Sequence, residues 1–121
     1  MKLFGTIYPA LFWLAVIWML SSLPTTSLPS IQIMGFDKLA HMGVYFILGL
    51  LCNLWLKRKS FTGVQTLFFY SVLILLATAD EAHQAFIPGR DVSGYDLLAN
   101  TLGLVLAACL PRLIRKLVKP R

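Results

Sequence analysis

Carboxylates are scarce in this sequence. Only five of 121 residues are Asp or Glu, 13% are charged and 58% are hydrophobic, whereas a soluble domain of this size normally carries about a quarter charged residues. That shortage excludes an ordinary water-soluble globular domain. Cysteine is nearly absent as well. Cys52 and Cys109 stand alone in apolar surroundings, and without a paired CxxC or an HExxH they carry no signature of a zinc site or a dithiol redox centre. Both read as small buried hydrophobes. No internal repeat and no low-complexity stretch is present.

What is abundant is apolar sequence, in four runs over residues 3–21, 38–56, 61–86 and 93–111. Eighteen or nineteen helical residues rise about 28 Å, close to the thickness of a hydrocarbon core. Stretches such as "FILGLLCNLWL" and "LFFYSVLILLATA" do not alternate polar with apolar as barrel strands would. In lipid the backbone must then bond within its own segment, which leaves helices. The expected fold is an all-α membrane protein: four transmembrane helices in a compact bundle, one domain over residues 1–121. The first run exceeds a usual signal-peptide core, and "SSLPTTSLP" offers no small-x-small cleavage site, so a retained helix is expected. Ser22 to Phe36 reads as an irregular connection, and "KRKS" as a tight one.

Nine of the eleven basic residues precede run one, separate runs two and three, or follow run four. The positive-inside rule puts these on the cytoplasmic side, with both termini, in a multi-pass protein of the bacterial cytoplasmic membrane. All five acids fall on the other side with Lys38 and Arg90, so that side sums to −3 and the inner side to +9, in accord with the net +6. A pI near 9.7 invites a nucleic-acid partner. Here the basic residues flank membrane spans, and their partners are membrane lipids with anionic headgroups, not nucleic acid.

Four of the five acids crowd into "DEAHQAFIPGRDVSGYD". On helix two, Asp37, His41 and Tyr45 are four apart and form one stripe. On helix four, Asp96, Asn100 and Gly103 do the same, and Gly103 permits close approach of a neighbouring helix. On helix three, Asp80, His83 and Gln84 share a face, with Glu81 about 100° away. Unpaired polar groups are costly in lipid, so these faces are expected to converge in a pocket near the outer interface. Arg90, the only guanidinium on that side, suits a carboxylate or a phosphate.

Structural roles compete for several of these residues. Asp37 reads as the N-cap of helix two, and "SGYD" as a capping box with Ser93 as N-cap and Asp96 at N3. Gly89 after Pro88 reads as a turn residue, and the whole polar set as a network locking three helices together. His41 and His83 with Asp80 or Glu81 could surround a divalent ion, but the spacing matches no metal motif, and neither metal nor cofactor is expected.

Together, "DKLAHMGVYFILGLL" and "DEAHQAFIPGRDVSGYDLLANTLG" resemble the VanZ-like family of bacterial membrane proteins. The family's Asp-Lys-x-x-His with a following Tyr falls on Asp37, Lys38, His41 and Tyr45. Its later pattern falls on Asp80, Glu81, Gln84, Pro88, Gly89, Arg90, Asp96, Asn100 and Gly103. A second small Gly expected one turn after Gly103 is Ala107 here. The family's namesake is linked to low-level resistance to teicoplanin, a glycopeptide that binds cell-wall precursors, so the resemblance implies an architecture more than a chemical task.

Three functions fit these residues. In the first, an outward-facing site of Asp37, His41, Tyr45, Asp80, Glu81, Gln84, Arg90, Asp96 and Asn100 binds a cell-wall precursor, an anionic lipid or another amphipathic envelope component. In the second the site is catalytic, with Asp80 or Glu81 as general base and His41 or His83 as acid. The third, a proton-coupled carrier, needs a polar path through the inner halves of the helices, where only Asn53, Gln65, Thr66 and Cys109 are available.

Overall fold

A computed structural model describes residues 3–24 and 36–118. Most of the expected connection from Ser22 to Phe36 lies outside these. The described chain is helical, with a 3-10 turn at Leu3–Gly5 followed by α1 (Tyr8–Ser21), α2 (Phe36–Lys59), α3 (Gly63–His83) and α4 (Gly94–Val118). A further 3-10 turn, Gln84–Phe86, extends α3.

Helices α2, α3 with its extension, and α4 are long and apolar enough to cross a membrane; α1, with 14 residues, is shorter. At 1.5 Å per residue it covers about 21 Å. The run over residues 3–21 thus yields less helix than its hydropathy suggests. Pro9 sits in the first turn of α1, where its missing N–H costs nothing, and the chain before it is a separate turn. Only 22–28% of the apolar window of each long helix is buried within the chain. Residues such as Leu67, Phe68, Leu75, Leu98 and Val105 face outward, as lipid-facing side chains do.

The central pair is α2 and α4; α1 lies against α2, and α3 against α4. Core residues recur at three- and four-residue intervals: Tyr45, Leu48, Cys52 and Leu56 on α2, Tyr70, Leu73 and Ala77 on α3, and Gly103, Leu104 and Ala107 on α4. Two small-residue contacts let α2 and α4 approach. A Cβ on Gly103 would overlap the Met42 carbonyl oxygen and lie 3.0 Å from the Phe46 amide nitrogen, so α4 rests there directly on the α2 backbone. One turn on, a Cβ at Gly49 would lie 2.5 Å from the Ala107 Cβ. The glycine that α4 lacks at 107 is supplied by α2.

Local chemistry fixes the ends. Ser60 has φ 54°, and its amide bonds to the Lys57 carbonyl while that of Phe61 reaches Leu56, a left-handed cap closing α2. Thr62 and Gln65 form a reciprocal capping box opening α3. Gly89, at φ 75°, follows Pro88 in a turn closed by the Arg90 amide on the Ile87 carbonyl. Inside α4, Pro111 cannot donate to the Ala107 carbonyl one turn earlier. Asn53 Nδ2 of α2 donates to that oxygen instead, at 2.6 Å, and Tyr70 Oη donates to Asn53 Oδ1 at 2.6 Å. α4 continues to Val118, past the limit at 111 set by hydropathy. The two cysteines differ: Cys52 is buried as expected, whereas Cys109 is exposed on α4.

These contacts make two predictions for thermal unfolding in detergent. Gly49→Ala should destabilise by about 1–3 kcal/mol, the cost of an overpacked contact, and Ala107→Gly in the same chain should recover most of it. Asn53→Ala should cost about 1–2 kcal/mol in the wild-type chain and clearly less beside Pro111→Ala, where α4 regains its own donor. Equal costs in both backgrounds would rule out the proline explanation.

Candidate functional site

The four acids of the helical polar faces collect at one end of the bundle, where α2 and α4 begin and α1 and α3 finish. Lys57, Arg58, Lys59, Arg112 and Arg115 mark the opposite end. At the acidic end the polar side chains form two connected groups.

The first group stitches α2 to α4. Lys38 Nζ donates to Asp37 Oδ2 at 2.8 Å and also bonds Asp96 Oδ1. His41 Nδ1 lies 3.1 Å from Asn100 Oδ1, an atom that only accepts, so Nδ1 is the donor. On its other side, Nε2 is 3.7 Å from Asp96 Oδ2. Asp96 and Asn100 are buried, while Asp37 is largely exposed. Asp37 falls inside the first turn of α2 instead of capping it, at a position where a negative charge suits the helix dipole.

The expected capping box of α4 is made by other means. The Asp96 amide bonds Ser93 Oγ at 3.4 Å, but the Asp96 carboxylate is engaged by Lys38. The Ser93 amide donates instead to Glu81 Oε1 of α3, at 2.7 Å. Glu81, 3% exposed, thus ties α3 to the start of α4 on the face about 100° from Asp80.

The second group lines a cleft of about 150 Å³ between α1, α2 and α3. Its polar wall is His41, Tyr45, Asp80, Gln84 and Arg90, and its apolar wall includes Trp13, Val16, Ile17 and Leu20 of α1. Tyr45 Oη donates to Asp80 Oδ2 at 2.9 Å, and Asp80 is 1% exposed. Among the described residues Arg90 pairs with no carboxylate. Its Nε donates to the Leu23 carbonyl at 3.1 Å and Nη2 to that of Leu20 at 3.2 Å, so the guanidinium caps the C-terminal end of α1. His83 is taken up by α1 as well. Its Nε2 is 3.1 Å from Ser22 Oγ, and its ring stacks on Trp18 at 5.3 Å between centroids.

Three buried polar atoms have no hydrogen-bond partner among the described residues: Asp80 Oδ1, Glu81 Oε2 and Asn100 Nδ2. Such atoms cost about 1–3 kcal/mol each, and all three belong to the acidic end of the bundle. Among the described residues no three metal-ligating side chains converge, and His83 turns toward α1 while His41 turns toward α4.

Sequence reasoning treated Lys38 only as part of a motif and a charge tally, yet it bridges two of the five acids. The signal was there: Lys38 and Arg90 are the only cations on the acidic side, and one of them had to neutralise the buried Asp96. The α1 wall of the cleft carried no signal, because Trp13 and Ile17 look like any lipid-facing residue until the packing is known.

Lys38→Met should therefore destabilise by about 2 kcal/mol, because it strips a buried carboxylate of its counter-charge. Adding Asp96→Leu should restore most of that loss. An unchanged melting temperature for the single variant would mean that the ion pair carries no weight.

The sequence model described as VanZ/LLP1 matches residues 2–115 of the chain. Comparison with curated proteins and with solved structures found no match.

Proposed function

This chain belongs to the VanZ/LLP1 family, and on that premise we propose that it binds an anionic or amphipathic component of the cell envelope in the cleft between α1, α2 and α3. In this reading the protein lies in the bacterial cytoplasmic membrane as a multi-pass protein with its termini inside and the cleft facing outward, supported by the clustering of basic residues at the opposite end. A cell-wall precursor or an anionic lipid has the required chemistry. Glycopeptide resistance of the teicoplanin type then follows indirectly, from altered precursor or surface chemistry.

One observation carries this reading: a single cleft combines an apolar wall with buried acceptors and a guanidinium. Arg90 uses two of its five N–H donors on Leu20 and Leu23. Among the described residues the other three have no acceptor and are offered to an anionic group, and the contact to α1 holds the fork in place. Asp80 and Gln84 orient the head, and the α1 side chains take the apolar part.

A second reading has one observation in its favour. Asp80 and Glu81 are adjacent and buried, each with one unpartnered oxygen, as a general acid–base pair on a lipid headgroup or a cell-wall intermediate would be. His41, between Asp96 and Asn100, is the histidine in reach of the cleft. Turnover that vanishes in Glu81→Gln while binding persists would carry it. The carrier reading is weakened, since Asn53 is committed to Ala107, and Gln65 and Thr66 to the start of α3.

Native mass spectrometry of the purified protein tests the binding reading. The wild type should retain an anionic or amphipathic envelope molecule that Arg90→Ala loses, in preparations matched for helix content because Arg90 also caps α1. Equal retention by both would remove Arg90 from the site.

A further inference from the structure

We infer that the headgroup taken by this cleft carries a primary ammonium beside its phosphate, as in a phosphoethanolamine lipid; the inference rests on the cleft being the binding site proposed above. The starting point is Asp80. It lines the cleft, it is 1% exposed, and Tyr45 satisfies Oδ2 while Oδ1 has no partner among the described residues. A carboxylate oxygen accepts only, so its complement is a donor, and a buried carboxylate favours a charged one.

Among the described residues neither cation on this side pairs with Asp80. Lys38 bonds Asp37 and Asp96, and Arg90 is anchored on the α1 carbonyls at the cleft's margin. The cleft therefore presents a buried acceptor and a guanidinium in one small space. A purely anionic head satisfies Arg90 but sets a second negative group beside Asp80. A phosphocholine head brings the right charge with no N–H to donate. Phosphate and primary ammonium two carbons apart satisfy both ends.

The apolar lining selects the lipid over the free head. The cleft, about 150 Å³, has room for a small polar head. Trp13, Val16 and Ile17 border it on α1, where the glycerol and the first methylenes of a membrane-anchored molecule would lie.

The test uses the full chain in detergent and native mass spectrometry against short-chain phosphatidylethanolamine, its N-methyl, N,N-dimethyl and choline analogues, and phosphatidylglycerol. Retention should fall chiefly at the last methylation, where the final N–H is lost, with about a tenfold or larger gap between the ethanolamine and choline lipids, the effect of one charge-assisted hydrogen bond. Asp80→Asn, which still accepts from Tyr45, should abolish that gap. Equal retention of ethanolamine and choline lipids by the wild type overturns the inference whatever the variant does, as does a gap that survives in Asp80→Asn. A wild type that retains phosphatidylglycerol and neither ethanolamine nor choline lipid overturns the ammonium while leaving the binding site standing. Retention of none of these lipids overturns the inference, while the binding reading is decided separately by whether the wild type and Arg90→Ala differ in what they carry at purification. Soluble phosphoethanolamine should compete only at far higher concentration than the lipid; competition at equal concentration would overturn the lipid as source.

Discussion

The close crossing of α2 and α4 is the constraint from which the site follows. Helices separated by full side chains cannot bring short polar groups together, and the pairs between them include a histidine with an asparagine and a lysine with an aspartate. Gly103 against the Met42 and Phe46 backbone, with Gly49 against Ala107, removes that separation. His41 and Asn100 then meet one turn from the contact, and Lys38 and Asp96 two turns from it. In a bilayer no hydrophobic force drives helices together, so such packing must supply the association.

The polar groups then follow one rule: each buried one is answered by whichever neighbour lies nearest, and the sequence position of the answer is incidental. Glu81 from α3 caps the first turn of α4, Asn53 from α2 takes the carbonyl that Pro111 leaves open, and Arg90 closes the end of α1. Each of these links segments that are far apart in sequence. Against that background of satisfied groups, the exceptions at Asp80, Glu81 and Asn100 stand out, and they sit where the cleft and the α2–α4 seam adjoin.

Much of this was legible in the residues themselves. Three long apolar helices, the i, i+4 stripes of α2 and α4, the turn at Gly89 and the packing role of Gly103 all follow from periodicity and residue size. What could not be read was which partner each polar group would choose. Ser93 and Asp96 have the spacing of a capping box, yet burial beside Lys38 outweighs a weak local bond. Arg90 has the chemistry to grip a carboxylate, yet the open carbonyls of α1 lie nearer. The shortness of α1 was hidden as well, since hydropathy does not distinguish a helix from the apolar turn that precedes it. Cys109 likewise shares its apolar setting with Cys52 but lies on the outward side of α4.

That difference between the two thiols has a practical side. Cys52 is enclosed at 1% exposure, while Cys109 stands outside, two residues before the proline of α4. A thiol-directed spin label or fluorophore on the unaltered chain would therefore report from a single position, beside the carbonyl that Pro111 leaves open and α2 secures. The protein comes with its own spectroscopic handle on how firmly those two helices hold each other in a bilayer.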